Sequence, residues 1–332
     1  MRVLTELVPA QVRSAGGGVR AAAPMIGAVA LGSCAGTLAP SFGAALGGAS
    51  DAAILLLVGL LFFELSFDGL PAARGSRAIL VALGMNFLVV PLFAAGLVTA
   101  LLPQGDARLG VLIYCLFPCT DWFLGFTRVA GGDTRLGAAL IPINMIAQLA
   151  LFPVYLALFA GVKVGAVLAE AAPTLMTWFV LPAGFGALAR LLVGAALPER
   201  AAARLSESAG RLIPWAISGV ILSLFAGNAS EIFARPAMFG AVLGTVFVFF
   251  VVVYWLGEAA ARLARLSPAE HVLLTMTTSA RNAPLMLTLT SLVLPARPLV
   301  SAGLVLGMLV EFPHLTAVCQ LVSARRRAAR RR

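Results

Sequence analysis

"LFPCTDWFLGFTRVAGGD", residues 116–133, decides the fold. It lies where a membrane-spanning helix belongs, in an apolar run from about 107 to 130. Yet Pro118, Cys119, Thr120, Asp121 and Trp122 are consecutive there: a proline, a thiol, a hydroxyl, a carboxylate and an indole. Proline lacks the N–H a helix needs and clashes with the preceding turn. A carboxylate in hydrocarbon is costly. Unwinding a helix in lipid leaves backbone groups unpaired at several kcal/mol each, which is tolerable only where protein, water or a ligand meets them. The stretch therefore predicts a broken helix whose loose ends are satisfied by something else.

The surrounding sequence supports a bilayer setting. Of 332 residues, 61% are hydrophobic and 11% charged, and the mean hydropathy is +0.99. A soluble chain is about 25% charged, so the class is an all-α polytopic membrane protein. Ten apolar runs reach the roughly 20 residues needed to cross the hydrocarbon. They fall at about 21–44, 50–70, 77–102, 107–130, 134–161, 165–195, 209–227, 236–264, 268–294 and 298–323. Residues 1–20 have no compact apolar core of a cleaved signal and read as a cytoplasmic lead.

Arginine placement sets the orientation. With both termini in the cytoplasm, 19 of the 24 basic residues lie inside, including the six arginines after Ala324, and only Arg108, Lys163, Arg235 and Arg297 lie outside. This bias predicts cytoplasmic termini in a plasma (inner) membrane. It also explains the net charge of +10. The basic tail, 324–332, is expected to hold anionic lipid headgroups rather than nucleic acid.

Ten spans divide into two sets of five, 21–161 and 165–323. An odd number forces the second set into the bilayer from the opposite side, the inverted-repeat plan of many secondary transporters. The fourth span of each set is disturbed, by "PCTD" at 118–121 and by "TTSARNAP" at 277–284. Interrupted helices at matching positions point to a binding site at the midplane. We expect helices four and nine to cross there.

Ionisable residues inside spans mark function by default. Asp121 and Arg281 lie in the two broken helices and Glu311 in the tenth span. Asp121 and Arg281 are either a structural ion pair or ligand contacts. Glu311 is either an intramembrane carboxylate that relays a proton or a protonated side chain bonded to backbone. Glu64, Asp68 and Glu258 lie toward span ends, where interfacial placement is expected. Cys34, Cys115 and Cys319 read as small hydrophobes. Cys119, at the break, can offer a thiolate to a metalloid, and Cys115 is expected one turn away on the same face. Asn86, Asn144, Gln148, Ser279 and Asn282 either line a hydrated cavity or join helices. The cysteine spacing gives no zinc or disulfide framework. His271 and His314 form no metalloprotease motif, and no nucleophile-elbow or phosphate-loop motif occurs, so neither an enzyme nor a cofactor is expected.

"PCTDWFLGFTRVAGGD", "NMIAQ", "TSARNAP" and "GMLVEFP" together resemble the arsenical-resistance permeases of the bile acid/sodium symporter superfamily, over nearly the whole chain. Cys119 and Asp133 keep a fourteen-residue spacing found there, and Asn144, Gln148 and Glu311 match further family positions. The chain departs from those permeases in Thr120, Asp121 and Trp122, in Arg281 where an asparagine is usual, and in Pro284 near the place of a glutamate. The resemblance implies an antiporter for arsenite efflux, conferring arsenical resistance, with Cys119 meeting the metalloid and Glu311 carrying the proton. Substrate contacts are then expected at Cys119, Asn144, Arg281 and Asn282, and proton coupling at Glu311 and Asp121. The alternative is a sodium- or proton-coupled symporter of an organic anion.

Overall fold

A computed structural model describes residues 17–65, 70–120, 122–160, 176–234 and 236–330, with isolated positions between 165 and 173. Among these residues the chain is helical and forms no strand. The helices are α1 (Gly17–Leu38), α2 (Pro40–Gly47), α3 (Ser50–Glu64), α4 (Arg77–Gly84), α5 (Val90–Leu101), α6 (Asp106–Leu116), α7 (Trp122–Val129) and α8 (Thr134–Ala160). They continue as α9 (Leu181–Ala196), α10 (Glu199–Gly227), α11 (Ala229–Phe233), α12 (Pro236–Leu263), α13 (Pro268–Ser279), α14 (Ala283–Val293) and α15 (Pro298–Arg330). Among the described residues, six stretches are long and apolar enough to cross a membrane: Pro40–Glu64, Arg77–Leu101, Thr134–Leu158, Glu199–Gly227, Ala237–Leu263 and Pro298–Arg325. The chain is a multi-pass membrane protein.

Several expected boundaries shift for local reasons. The first helix stops at Leu38, because Pro40 opens a new helix at its N-terminal turn. That new helix runs into α3, so the second span begins at Pro40 rather than at residue 50. The seventh begins at Glu199, and the tenth carries its helix on to Arg330. The third span holds a wide π turn, Met85–Val89, just before Pro91. Pro91 cannot donate to the carbonyl of Phe87 one turn earlier, and the Tyr155 hydroxyl donates to it instead. Of the residues singled out from sequence, Asp68, Asp121, Lys163 and Arg235 lie outside the described residues.

Two packing groups emerge. Helices α1, α2, α3, α9 and α10 pack on one another. Helices α5, α6, α12, α13, α14 and α15 form the other group, and α1 touches it through α15. Both groups draw on both sequence halves. Glycines permit the closest seams. A methyl at Gly110 of α6 would collide with the Val300 carbonyl of α15, and one at Gly307 would strike the Tyr114 ring. Without a hydrophobic driving force in lipid, such close backbone approach is what holds helices together. Here it brings Tyr114 against α15, one turn from Glu311.

Candidate functional site at the crossing of two broken helices

Helix α6 ends at Leu116 and α7 begins at Trp122. Helix α13 ends at Ser279 and α14 begins at Ala283. The two gaps meet. Cys119 N donates to Ala280 O at 3.0 Å, and Asn282 N donates to Phe117 O at 3.0 Å. Pro118 and Arg281 thus face each other in a short antiparallel bridge. This answers the cost of unwinding: each break supplies the partner for the other's backbone. Pro118, with no N–H to place, sits where none is needed.

The restart of α14 is built into its sequence. Asn282 caps it by accepting from Leu285 N at 3.3 Å, and Pro284 stands in the first turn. The same side chain donates through Nδ2 to Thr120 Oγ1 at 3.0 Å and to Gln148 Oε1 at 2.9 Å. Asn282 therefore joins both breaks to α8. One turn from Gln148 on α8, Asn144 donates to Cys119 O at 3.4 Å. Cys119, Thr120, Asn144, Gln148, Arg281 and Asn282 are all buried, so the crossing is closed off from solvent.

Glu311, on α15, is buried beside the bridge. Its Oε1 accepts from the backbone N–H of Arg281 at 2.9 Å, and its Oε2 from the Tyr114 hydroxyl at 2.8 Å. The carboxylate thus grips the break of one helix and the last turn of the other. The Arg281 guanidinium is fully buried, 5.7 Å from the Phe249 ring centroid. It donates to Cys115 O at 3.2 Å, to Thr278 O, and more distantly to Thr277 O at 3.5 Å. Among the described residues, Cys115, Glu311, Tyr114 and Cys119 are titratable groups within its electrostatic reach.

Buried polar atoms are nearly always paired. Here Asn86 Oδ1, Asn144 Oδ1, Gln148 Nε2, Ser279 Oγ and Arg281 Nε have no partner among the described residues. All five belong to the broken helices or to residues near them in the fold. Asn86 is tied in by donating to Thr277 Oγ1 at 3.1 Å. Such a mixed set of spare donors and acceptors is what a small polar solute needs. Among the described residues no cluster of histidine, cysteine and carboxylate suits a bound metal ion.

The crossing thus gathers Cys119, Asn144, Arg281, Asn282 and Glu311. Cys115 does not share a helical face with Cys119, because the chain leaves the helix at Phe117. Asp133 caps α8, accepting from Arg135 N and Leu136 N at 3.0 Å each. Glu64 accepts from Ser206, which in turn accepts from Arg190. Glu258 is buried near the end of α12, paired with Arg262 at 3.0 Å, Arg325 at 3.2 Å and His271 at 2.8 Å. His314 stacks on Phe250 with 4.5 Å between centroids. Sequence reasoning gave Tyr114, Thr120 and Thr277 no role in the site. Thr120 was detectable as the neighbour of Cys119; Tyr114 carried no local signal, since its partner is far along the chain.

A search among curated proteins found no match. The model of the sodium bile acid symporter family matches residues 64–255. That stretch is more than half of the chain and includes the broken helix pair α6 and α7, together with α8. A membrane-embedded, all-helical chain with this match belongs to the sodium bile acid symporter family.

Proposed function

We propose that this protein is a secondary active transporter that exports arsenite or a related metalloid across the plasma membrane in exchange for protons. The observation that carries the reading is the convergence of Cys119 and Glu311 on one buried bridge. Cys119 N pairs with Ala280 O, and the adjoining Arg281 N–H donates to Glu311. A thiol that meets the solute and a carboxylate that takes the proton are then linked through two residues of backbone.

The solute chemistry follows from the spare polar atoms. Neutral arsenite carries hydroxyls that both donate and accept, which suits Asn144 Oδ1, Gln148 Nε2 and Ser279 Oγ together. One thiol gives weak capture, suited to a carrier that must release. Arg281 and Asn282 shape this site by holding the breaks, because their donors are largely engaged with backbone and neighbouring side chains.

Coupling has a local physical basis. Ionised Glu311 accepts from two donors. A protonated carboxyl keeps one good acceptor and gains a donor. The Tyr114 hydroxyl can turn to accept, whereas the Arg281 N–H cannot. Protonation can keep both bonds but removes the charge that strengthens them, which weakens the grip on the break and gives the crossing a reason to rearrange. Alternating access would move the group α1, α2, α3, α9 and α10 against the group that holds the crossing, in a ten-span architecture of two inverted repeats, 21–161 and 165–323, with both termini cytoplasmic.

A second reading, a sodium- or proton-coupled organic anion symporter, is favoured by the family description itself. Everted vesicles under a pH gradient separate the two. Arsenite uptake in the wild type, lost in Cys119→Ser and Glu311→Gln, supports the first. Uptake untouched by Cys119→Ser removes the thiol role. Absence of arsenite uptake with Na⁺-driven taurocholate uptake favours the second.

A further inference from the structure

We infer that the Arg281 guanidinium is a tethered cation that occupies the place of a coupling sodium ion at the crossing, so that this carrier works without Na⁺. The inference rests on the transporter reading and addresses its coupling ion.

The backbone accounts for itself residue by residue. In an unbroken helix, Cys119 N would bond to Cys115 O, Arg281 N to Thr277 O, and Asn282 N to Thr278 O. Each of those donors is diverted: Cys119 N to Ala280 O, Arg281 N to Glu311, and Asn282 N to Phe117 O. The diversions orphan the carbonyls of Cys115, Thr277 and Thr278. These three carbonyls are the ones the guanidinium meets. One side chain therefore caps carbonyls at the C-terminal ends of both α6 and α13.

Charge agrees with this bond count. Two helix C-termini each present roughly −0.5 of an elementary charge, so together they gather about one negative charge. Half-helix C-termini and unwound carbonyls are the features that coordinate Na⁺ in broken-helix transporters. The guanidinium supplies one positive charge and a planar fork of donors at that point. A sodium ion requires free oxygen ligands in number. It would find these carbonyls already engaged by a fixed cation. These three carbonyls, closed by a fixed cation, do not fit a bound Na⁺.

The test is ion-specific stabilisation of the purified full-length protein in detergent, followed through tryptophan fluorescence on heating, in sodium or potassium chloride at matched ionic strength. The wild type is expected to unfold at the same midpoint in both salts. Arg281→Asn reopens the carbonyls and adds an oxygen; it should unfold lower in potassium and recover by several degrees in sodium only. A sodium-specific upward shift in the wild type, or an Arg281→Asn protein indifferent to the two ions, overturns the proposal. If Arg281→Asn does not accumulate, Arg281→Lys replaces it, since it keeps the charge. Accumulation of the lysine variant in a sodium-indifferent form supports the tethered cation; its failure as well overturns it. The readout is binding rather than flux. A protein that carries no solute under any gradient sinks the transporter reading and leaves this result standing, and a sodium shift does the reverse.

Discussion

Glu311 carries more consequence than any other side chain here, because its two oxygens hold both broken helices at once. Tyr114→Phe removes one donor and leaves the shape unchanged. Hydrogen bonds to a charged group contribute about 1.5–3 kcal/mol, so we expect a loss of that order, read as a lower unfolding midpoint. Asn282 is the next most committed residue, with a cap and two side-chain bonds. Asn282→Ala removes all three and should cost about 2–4 kcal/mol. Asn282→Ser keeps a neutral capping oxygen and should retain about 1 kcal/mol of that in the same measurement. The polarity of these residues was legible in the sequence, because each stands out within an apolar span. Their partners were not. Arg281 reads as the ion-pair partner of Asp121 or a ligand contact until the diverted donors of Cys119 and Asn282 show which carbonyls meet it.

At the scale of elements, the seam between α6 and α15 fixes where Tyr114 meets Glu311. Gly110 lies against the Val300 backbone, which cannot swing away as a flexible side chain would. Gly110→Ala is therefore expected to cost about 1–3 kcal/mol by overpacking. Gly184 of α9 faces open space, and Gly184→Ala should be neutral to stabilising, within about 1 kcal/mol. Thermal unfolding of the two variants side by side checks the contrast. The breaks themselves were readable from Pro118 and from the "SARNAP" stretch, because proline and ionisable residues in an apolar run are costly unless the helix opens there. Helix ends were less so. Leu38 and Glu199 are set by how Pro40 starts a new helix and how α10 extends past its apolar part, and the composition of the run conceals both.

For the whole molecule, the bias of arginines predicts that the basic tail faces the cytoplasm. Trypsin should remove the tail in everted vesicles and spare it in right-side-out ones; cleavage in right-side-out vesicles would reverse the topology and the direction of transport with it. The membrane class followed from composition alone, and the crossing from two disturbed spans. The gathering of α1, α2 and α3 with α9 and α10 was not legible, because contacts between distant helices in lipid depend on small residues such as Gly32, Gly36 and Gly186 that look alike wherever they fall. The central claim is exchange of solute for protons through Glu311. Its most direct test is proton movement in sealed proteoliposomes, followed with a trapped pH dye after an arsenite gradient is imposed. Arsenite moving down its gradient should drive protons the opposite way in the wild type and not in Glu311→Gln. Arsenite flux with no proton movement, or equal proton movement in Glu311→Gln, would contradict it.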